Sequence, residues 1–205
     1  MVFNNRLLAR YVAIKRQVVA VFLTVLSLLV FSLPAQALEM GVSGHIGTEN
    51  DTQGYSIFIA DNFSRRSPFY WNLGVSRYDD VYVEWNNSDL TFPLNSVEAA
   101  LSYRHKFTSR NLTMRRFSME YQIGAAVSLT ENKFTFSELN EERLFSESGD
   151  INGFLAVSAH YKISSNVSAN VGVKHFPNLS EFGSVSSVFL GFKFSFDSTQ
   201  SYHGN

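Results

Sequence analysis

The chain is predicted to fold as an all-β, antiparallel up-and-down transmembrane β-barrel of about eight strands, set behind a cleaved signal peptide. Three observations predict this. Segments of about ten residues alternate apolar and polar side chains, the period of a strand whose successive side chains point to opposite faces. Beyond the leader no run of ~18 apolar residues occurs, so no helix is expected to span a bilayer, whereas a closed barrel crosses with every backbone group paired between strands. The 205-residue chain also opens on a basic, then apolar, segment that ends in small residues.

That opening segment carries Arg6, Arg10, Lys15 and Arg16 and no acid before an apolar run from Val18 to Leu33 and the ending Pro34-Ala35-Gln36-Ala37. Basic region, apolar core and A-x-A exit make residues 1–37 a signal peptide cleaved after Ala37. The apolar run is shorter than the ~20 residues that cross a bilayer as a helix. One domain follows, a barrel over residues 38–196, and then a polar tail, 197–205. Loss of the leader's four basic residues from 17 Lys and Arg, against 18 Asp and Glu, leaves the mature chain near −5. That mild acidity gives no reason to expect a nucleic-acid partner. The chain has no cysteine, which removes a disulfide scaffold and a lipid-anchored lipoprotein. No cofactor and no resident metal are expected.

Glu39–Thr48, Gly54–Phe63 and Phe69–Tyr78 alternate weakly. Ser96–Phe107 alternates clearly, with Val97, Ala99, Leu101 and Tyr103 outward and Glu98, Ala100, Ser102, Arg104 and Lys106 inward. Phe117–Thr130 is the clearest internal strand: Phe117, Met119, Tyr121, Ile123, Ala125, Val127 and Leu129 share one face. A helix would scatter those residues around its circumference. Ile151–Tyr161 and Val167–Val173 follow. Ser187–Phe196 closes the set, with Val188, Leu190, Phe192, Phe194 and Phe196 on one face and Phe189, Gly191 and Lys193 on the other.

Connections sort into two sets. Short turns are expected at Ser64–Pro68, Thr108–Arg116 and Lys162–Asn166, on the side of both chain ends. Longer loops, Glu49–Gln53, Asp79–Asn95, Glu131–Gly149 and Pro177–Gly183, lie opposite. Short turns at one end and long loops at the other are usual for such barrels. The short turns are basic (Arg65, Arg66, Arg110, Arg115, Arg116, Lys162), and the third long loop is acidic (Glu131, Glu138, Glu141, Glu142, Glu147). Aromatic belts are expected from Phe69, Tyr70, Trp71, Tyr161, Phe194 and Phe196 at one rim and Tyr78, Tyr82 and Trp85 at the other.

An eight-stranded barrel is just wide enough for side chains to fill it, and charges placed there must be paired. A turn centred near Leu112 sets Arg104 opposite Glu120. A lumen salt bridge is predicted between them, with Glu98, Lys106 and Lys193 as further members of the network. A packed, charged interior argues against a porin.

The closing segment S-V-F-L-G-F-K-F-S-F resembles the last strand of bacterial outer-membrane barrels: a glycine, alternating aromatics and a final phenylalanine. The resemblance implies a cell outer-membrane location in a Gram-negative bacterium and insertion by the barrel-assembly machinery, although here a tail follows the phenylalanine. The architecture is similar to the small OmpA- and OmpX-type barrels. It implies a non-enzymatic protein whose outer loops meet lipopolysaccharide or an external partner. The acidic loop is then either a solvated surface or a contact, through divalent cations, with lipid phosphates.

Lys174-His175-Phe176-Pro177-Asn178, just before the final strand, resembles the C-terminal part of the lipid A 3-O-deacylases (PagL-like). Those barrels carry an H-x-S-N motif and then a glutamate early on the last strand, a lipid-facing triad in which serine attacks an ester. His175 and Asn178 match the motif. Pro177 stands at the serine position and Ser186 at the glutamate position, while Ser180 and Glu181 lie nearby at the wrong spacing. An enzymatic role would rest on His175, with Asn178 beside it.

Overall fold

In the computed structural model the described residues are 37–48, 52–64, 67–85, 88–136 and 141–197. The expected signal peptide, apart from its last residue, and the tail beyond Asp197 lie outside them. Ten strands are described: β1 (Ala37–Gly47), β2 (Gln53–Asn62), β3 (Phe69–Trp85), β4 (Ser88–Lys106), β5 (Phe117–Ser128), β6 (Asn132–Phe136), β7 (Glu141–Ser146), β8 (Ile151–Lys162), β9 (Val167–Phe176) and β10 (Val185–Asp197). Eight of them close a barrel in the order β1-β10-β9-β8-β5-β4-β3-β2, and β6 with β7 forms a separate hairpin between β5 and β8. Every ladder is antiparallel, and closure removes the unpaired edge that an open sheet would present.

The alternation sorts side chains as the period-2 pattern requires. Met40, Val42, Ile46, Ile57, Val75, Leu101, Ile123, Leu155, Val157, Val171, Val173, Leu190 and Phe192 stand exposed on the outer wall. Ser43, Ser56, Asn72, Ser76, Ser102, Glu120, Ser158, Asn170 and Lys193 are buried inside it. The wall is therefore inverted relative to a water-soluble domain, with its apolar face outward and its polar face within. Glycines make room for the lumen rings. A Cβ on Gly41 would collide with the Phe58 ring, and one on Gly172 would collide with the Val157 carbonyl and fall 2.7 Å from Phe189 Cζ.

Two expected long loops are strands instead. The first is the expected loop 79–95. In the structure β3 and β4 run on past the barrel wall as a hairpin, through a register shift between Tyr78 and Val81. Asp80 takes a left-handed φ of 57° there, a conformation Asp tolerates, and the bulge it makes reverses which residues face inward. Val81 is buried as a result, beside Leu94, which keeps the inward parity of Ser96 and Ser102 on β4, with Val83, Leu90 and Phe92 packed against them. The expected loop 131–149 contains the hairpin β6–β7. β9 also continues past Val173 to Phe176, so His175 lies in a strand.

Candidate functional site

The interior holds two separate ionic layers. Nearer the short-turn end, Arg104 on β4 stands across from Glu120 on β5, with Nη2 2.7 Å from Oε2. The same guanidinium donates to both carboxylate oxygens of Glu39 on β1, at 2.7 and 2.8 Å. It also lies 4.1 Å over the Tyr70 ring. Lys193 Nζ on β10 donates to Glu120 at 2.9 Å, and His160 Nε2 lies 3.4 Å from the same carboxylate. Glu120 has 0% exposure. Arg104 and Lys193 match Glu39 and Glu120 charge for charge, the condition under which a buried ionic group is tolerable.

The second layer sits toward the long-hairpin end. Lys174 Nζ donates to Glu98 Oε1 at 2.5 Å, and Ser76 donates to the same oxygen at 2.6 Å. His45 joins a chain of hydroxyls, with Nε2 3.0 Å from Ser56 Oγ and Nδ1 3.3 Å from Ser187 Oγ. Between the layers lies a cavity of about 60 Å³ lined by His45, Glu98, Asn72, Asn170, Lys174 and Lys193 among others, a volume for about two waters.

Above the second layer the chemistry changes. Tyr78, Val81, Leu94, Phe145, Phe154, Phe176, Leu179 and Phe182 form one buried cluster. Its rings meet at short range: Phe92 to Phe145 at 5.0 Å, Phe154 to Phe176 at 5.5 Å, Tyr78 to Phe176 at 6.1 Å. Segments that leave the wall supply most of it, namely the β3–β4 extension, β7 and the 3₁₀ turn Ser180–Phe182. Tyr70 and Tyr78, expected in the aromatic belts, are lumen residues instead because each sits on the inward parity of β3. Phe69, Phe117, Phe194 and Phe196 are exposed on the outer wall near the short-turn rim.

On that wall, near the other rim, His175 shares the outward parity of the exposed Val171 and Val173. It pairs with Leu155 on β8 and Ser186 on β10, and its Nδ1 is 2.8 Å from Ser186 Oγ. Asn178 is exposed in the following connection and makes no side-chain hydrogen bond among the described residues. Ser180 Oγ turns instead to Asp150 at 3.1 Å, and Glu181 lies 3.6 Å from Arg143. No carboxylate is bonded to His175 among the described residues.

Of the residues read from sequence as a lumen network, Arg104, Glu120 and Lys193 meet in one layer and Glu98 belongs to the other. Lys106 does not join them. It is exposed at the short-turn mouth and forms no ion pair among the described residues, because two residues beyond Arg104 the strand has reached the rim. Sequence reading missed Glu39, Lys174, His45 and His160. Inward parity alone would have nominated all four, since each is a charged or polar residue alternating with outward apolar ones. Among the described residues no three His, Asp or Glu side chains gather to hold a metal ion.

A closed antiparallel barrel, apolar outside and filled with paired charges, is a transmembrane β-barrel of the outer-membrane type. A solved structure of that type shares its fold. The N-terminal barrel domain of Pseudomonas aeruginosa OprF is similar with a TM-score of 0.52 at 15% identity, covering 79% of this chain and 98% of that one. Also similar are Ail of Yersinia pestis (TM-score 0.49, 13% identity, 78% and 99% covered) and the outer-membrane enzyme PagL (0.48, 12%, 76% and 98%). No protein-family profile and no curated relative matches the sequence.

Proposed function

We propose that this chain is a non-enzymatic integral outer-membrane protein of a Gram-negative bacterium, and that its long hairpins contact lipopolysaccharide or an external partner. The observation that carries this reading is the filled lumen: two ionic layers and an aromatic cluster occupy the axis, so the exposed work surface is the hairpin end. There β3–β4 and β6–β7 rise above the wall with Thr91, Lys133, Glu142 and Arg143 exposed. The buried aromatic cluster gives those hairpins a fixed shape, which limits the ordering cost of binding. Protein reconstituted in phosphatidylcholine nanodiscs is expected to bind lipopolysaccharide saturably. Replacing residues 132–146 by a short Gly-Ser turn should abolish that binding while the barrel stays folded. Unchanged binding by the shortened protein would remove the hairpins from the reading.

A second reading is favoured by one observation, the 2.8 Å contact between His175 Nδ1 and Ser186 Oγ on the lipid-facing wall. An ionisable pair at that level is unfavourable without a task. A serine hydroxyl next to imidazole can attack an ester carbonyl while the histidine takes its proton, and a lipid acyl ester is the substrate that reaches this wall. The pair lacks a carboxylate to fix the imidazole tautomer, which sets it behind the first reading. Mass spectrometry of lipid A and phospholipids from cells making the protein, S186A or H175A decides between them. Loss of an acyl chain that depends on both residues would replace the non-enzymatic reading.

A further inference from the structure

We propose that the short-turn mouth of the barrel is a binding site for a phosphate-bearing anion. The mouth is a recess of about 320 Å³, within the range of small-ligand sites. Lys106, Arg115, Arg116 and Lys162 all line it and all are exposed. None of the four is in an ion pair with a described carboxylate. Glu39 is the one acid among the described lining residues, and both of its oxygens are taken by Arg104. The lumen charges below are already balanced, so these cations are in excess over anything the barrel offers them.

Two further features make the recess a site and not a solvated rim. Arg115 is pinned by its Nε, which donates to the Ser109 carbonyl at 2.7 Å, and its terminal nitrogens have no partner among the described residues. Ser118, Ser168 and Ser195 also line the recess, and their hydroxyls have no side-chain hydrogen bond among the described residues. Guanidinium forks, ammonium groups and hydroxyl donors around one hollow are the donor set that phosphate oxygens accept from. Like charges gathered around one recess also repel, and an anion between them relieves that repulsion. The phosphate can belong to a lipid headgroup of the adjoining leaflet or to a soluble phosphate.

The test uses the full chain, isotope-labelled and refolded in phosphate-free maltoside micelles. Inorganic phosphate should shift the amide resonances of Ser118, Ser168 and Ser195 saturably, and chloride at matched ionic strength should not. R115Q/R116Q and K106Q/K162Q should each weaken the response roughly tenfold or more, the size of one lost charge-assisted contact. K133Q, at the opposite end, should leave it unchanged. In a second arm, native mass spectrometry of protein released from mixed phosphatidylcholine and phosphatidylglycerol nanodiscs reads lipid retention. Phosphatidylglycerol held in excess by the parent and not by the double variants assigns the phosphate to a lipid. A response to inorganic phosphate without that retention assigns it to a soluble anion. Shifts that chloride reproduces, or responses that both double variants retain, together with equal lipid retention, would overturn the proposal.

Discussion

At the level of Glu120 the lumen is filled by four charges that cancel, while at the level of Phe145 it is filled by rings with hardly a polar atom among them. The two fillings have different origins. Arg104, Glu120, Glu39 and Lys193 come from four wall strands, and their positions follow from ladder register once the barrel closes. Phe145, Phe182, Val81 and Leu179 come from segments that leave the wall and fold back over it. Lys174 links the two regions: its ammonium donates to Glu98 on one side and lies 4.2 Å over the Phe154 ring on the other. The ionic layer therefore belongs to the barrel, and the aromatic cluster belongs mostly to the hairpins. Damage to each should be felt in different places.

The largest effect is expected at Glu120. Its carboxylate has 0% exposure and faces Arg104, Lys193 and His160. Glu120→Ala leaves two cations against one acid in a closed interior, a loss of about 3–5 kcal/mol. Urea unfolding in lipid vesicles, followed by the heat-modifiable mobility of the folded barrel on gels, measures it. Glu120→Gln with Lys193→Met removes one charge of each sign and should recover part of that loss. A change below about 1 kcal/mol in the single variant would mean that the layer is hydrated, and the contrast with the aromatic end would weaken.

Phe145→Ala acts at the opposite, aromatic end. Phe145 is 1% exposed and packs against Phe92 and Phe182. Truncating such a ring costs about 3 kcal/mol or somewhat more, but the cost should fall on hairpin β6–β7 and the turn Ser180–Phe182. Limited proteolysis should then cut within 132–146 much faster than in the parent, with the unfolding midpoint of the barrel unchanged. A lowered midpoint would show that the cluster also holds the wall.

The wall was legible in the sequence because its information is local. Outward Leu101, Tyr121, Ile123 and Phe192 alternate with inward Arg104, Glu120 and Lys193, and one short turn near Leu112 sets Arg104 against Glu120. The hairpin end was not legible, for a physical reason that Asp80 shows. A single left-handed residue shifts the parity of the rest of β3, so Val81 and Val83 turn inward where continued alternation would turn them out. Glu39 was missed differently. Its partner Arg104 lies 65 residues away in sequence on a strand that is not its ladder neighbour, so the pair exists only after closure. His175 was placed on the lipid face by parity, yet Ser186 as its hydrogen-bond partner depends on the register between β9 and β10 across a connection of irregular length.

The smallest effect is expected at Arg77 and Asp79, and it isolates what the interior adds to a salt bridge. Their contact, 2.9 Å from Nε to Oδ1, is as short as that between Lys193 and Glu120. The difference is exposure: the side chains of Arg77 and Asp79 are 46% and 45% exposed, those of Lys193 and Glu120 3% and 0%. In water the Coulomb attraction is weak, and holding two mobile side chains together offsets most of it, so an exposed pair is worth about 0.2–1 kcal/mol. Arg77→Ala should therefore move the unfolding midpoint by no more than that, and the shift should shrink further as salt is raised through ~0.5 M, because screening reaches exposed charges first. The loss in Glu120→Ala should be nearly insensitive to the same salt. If both respond alike, the lumen layer is as wet as the surface and its charges are not sealed by the wall.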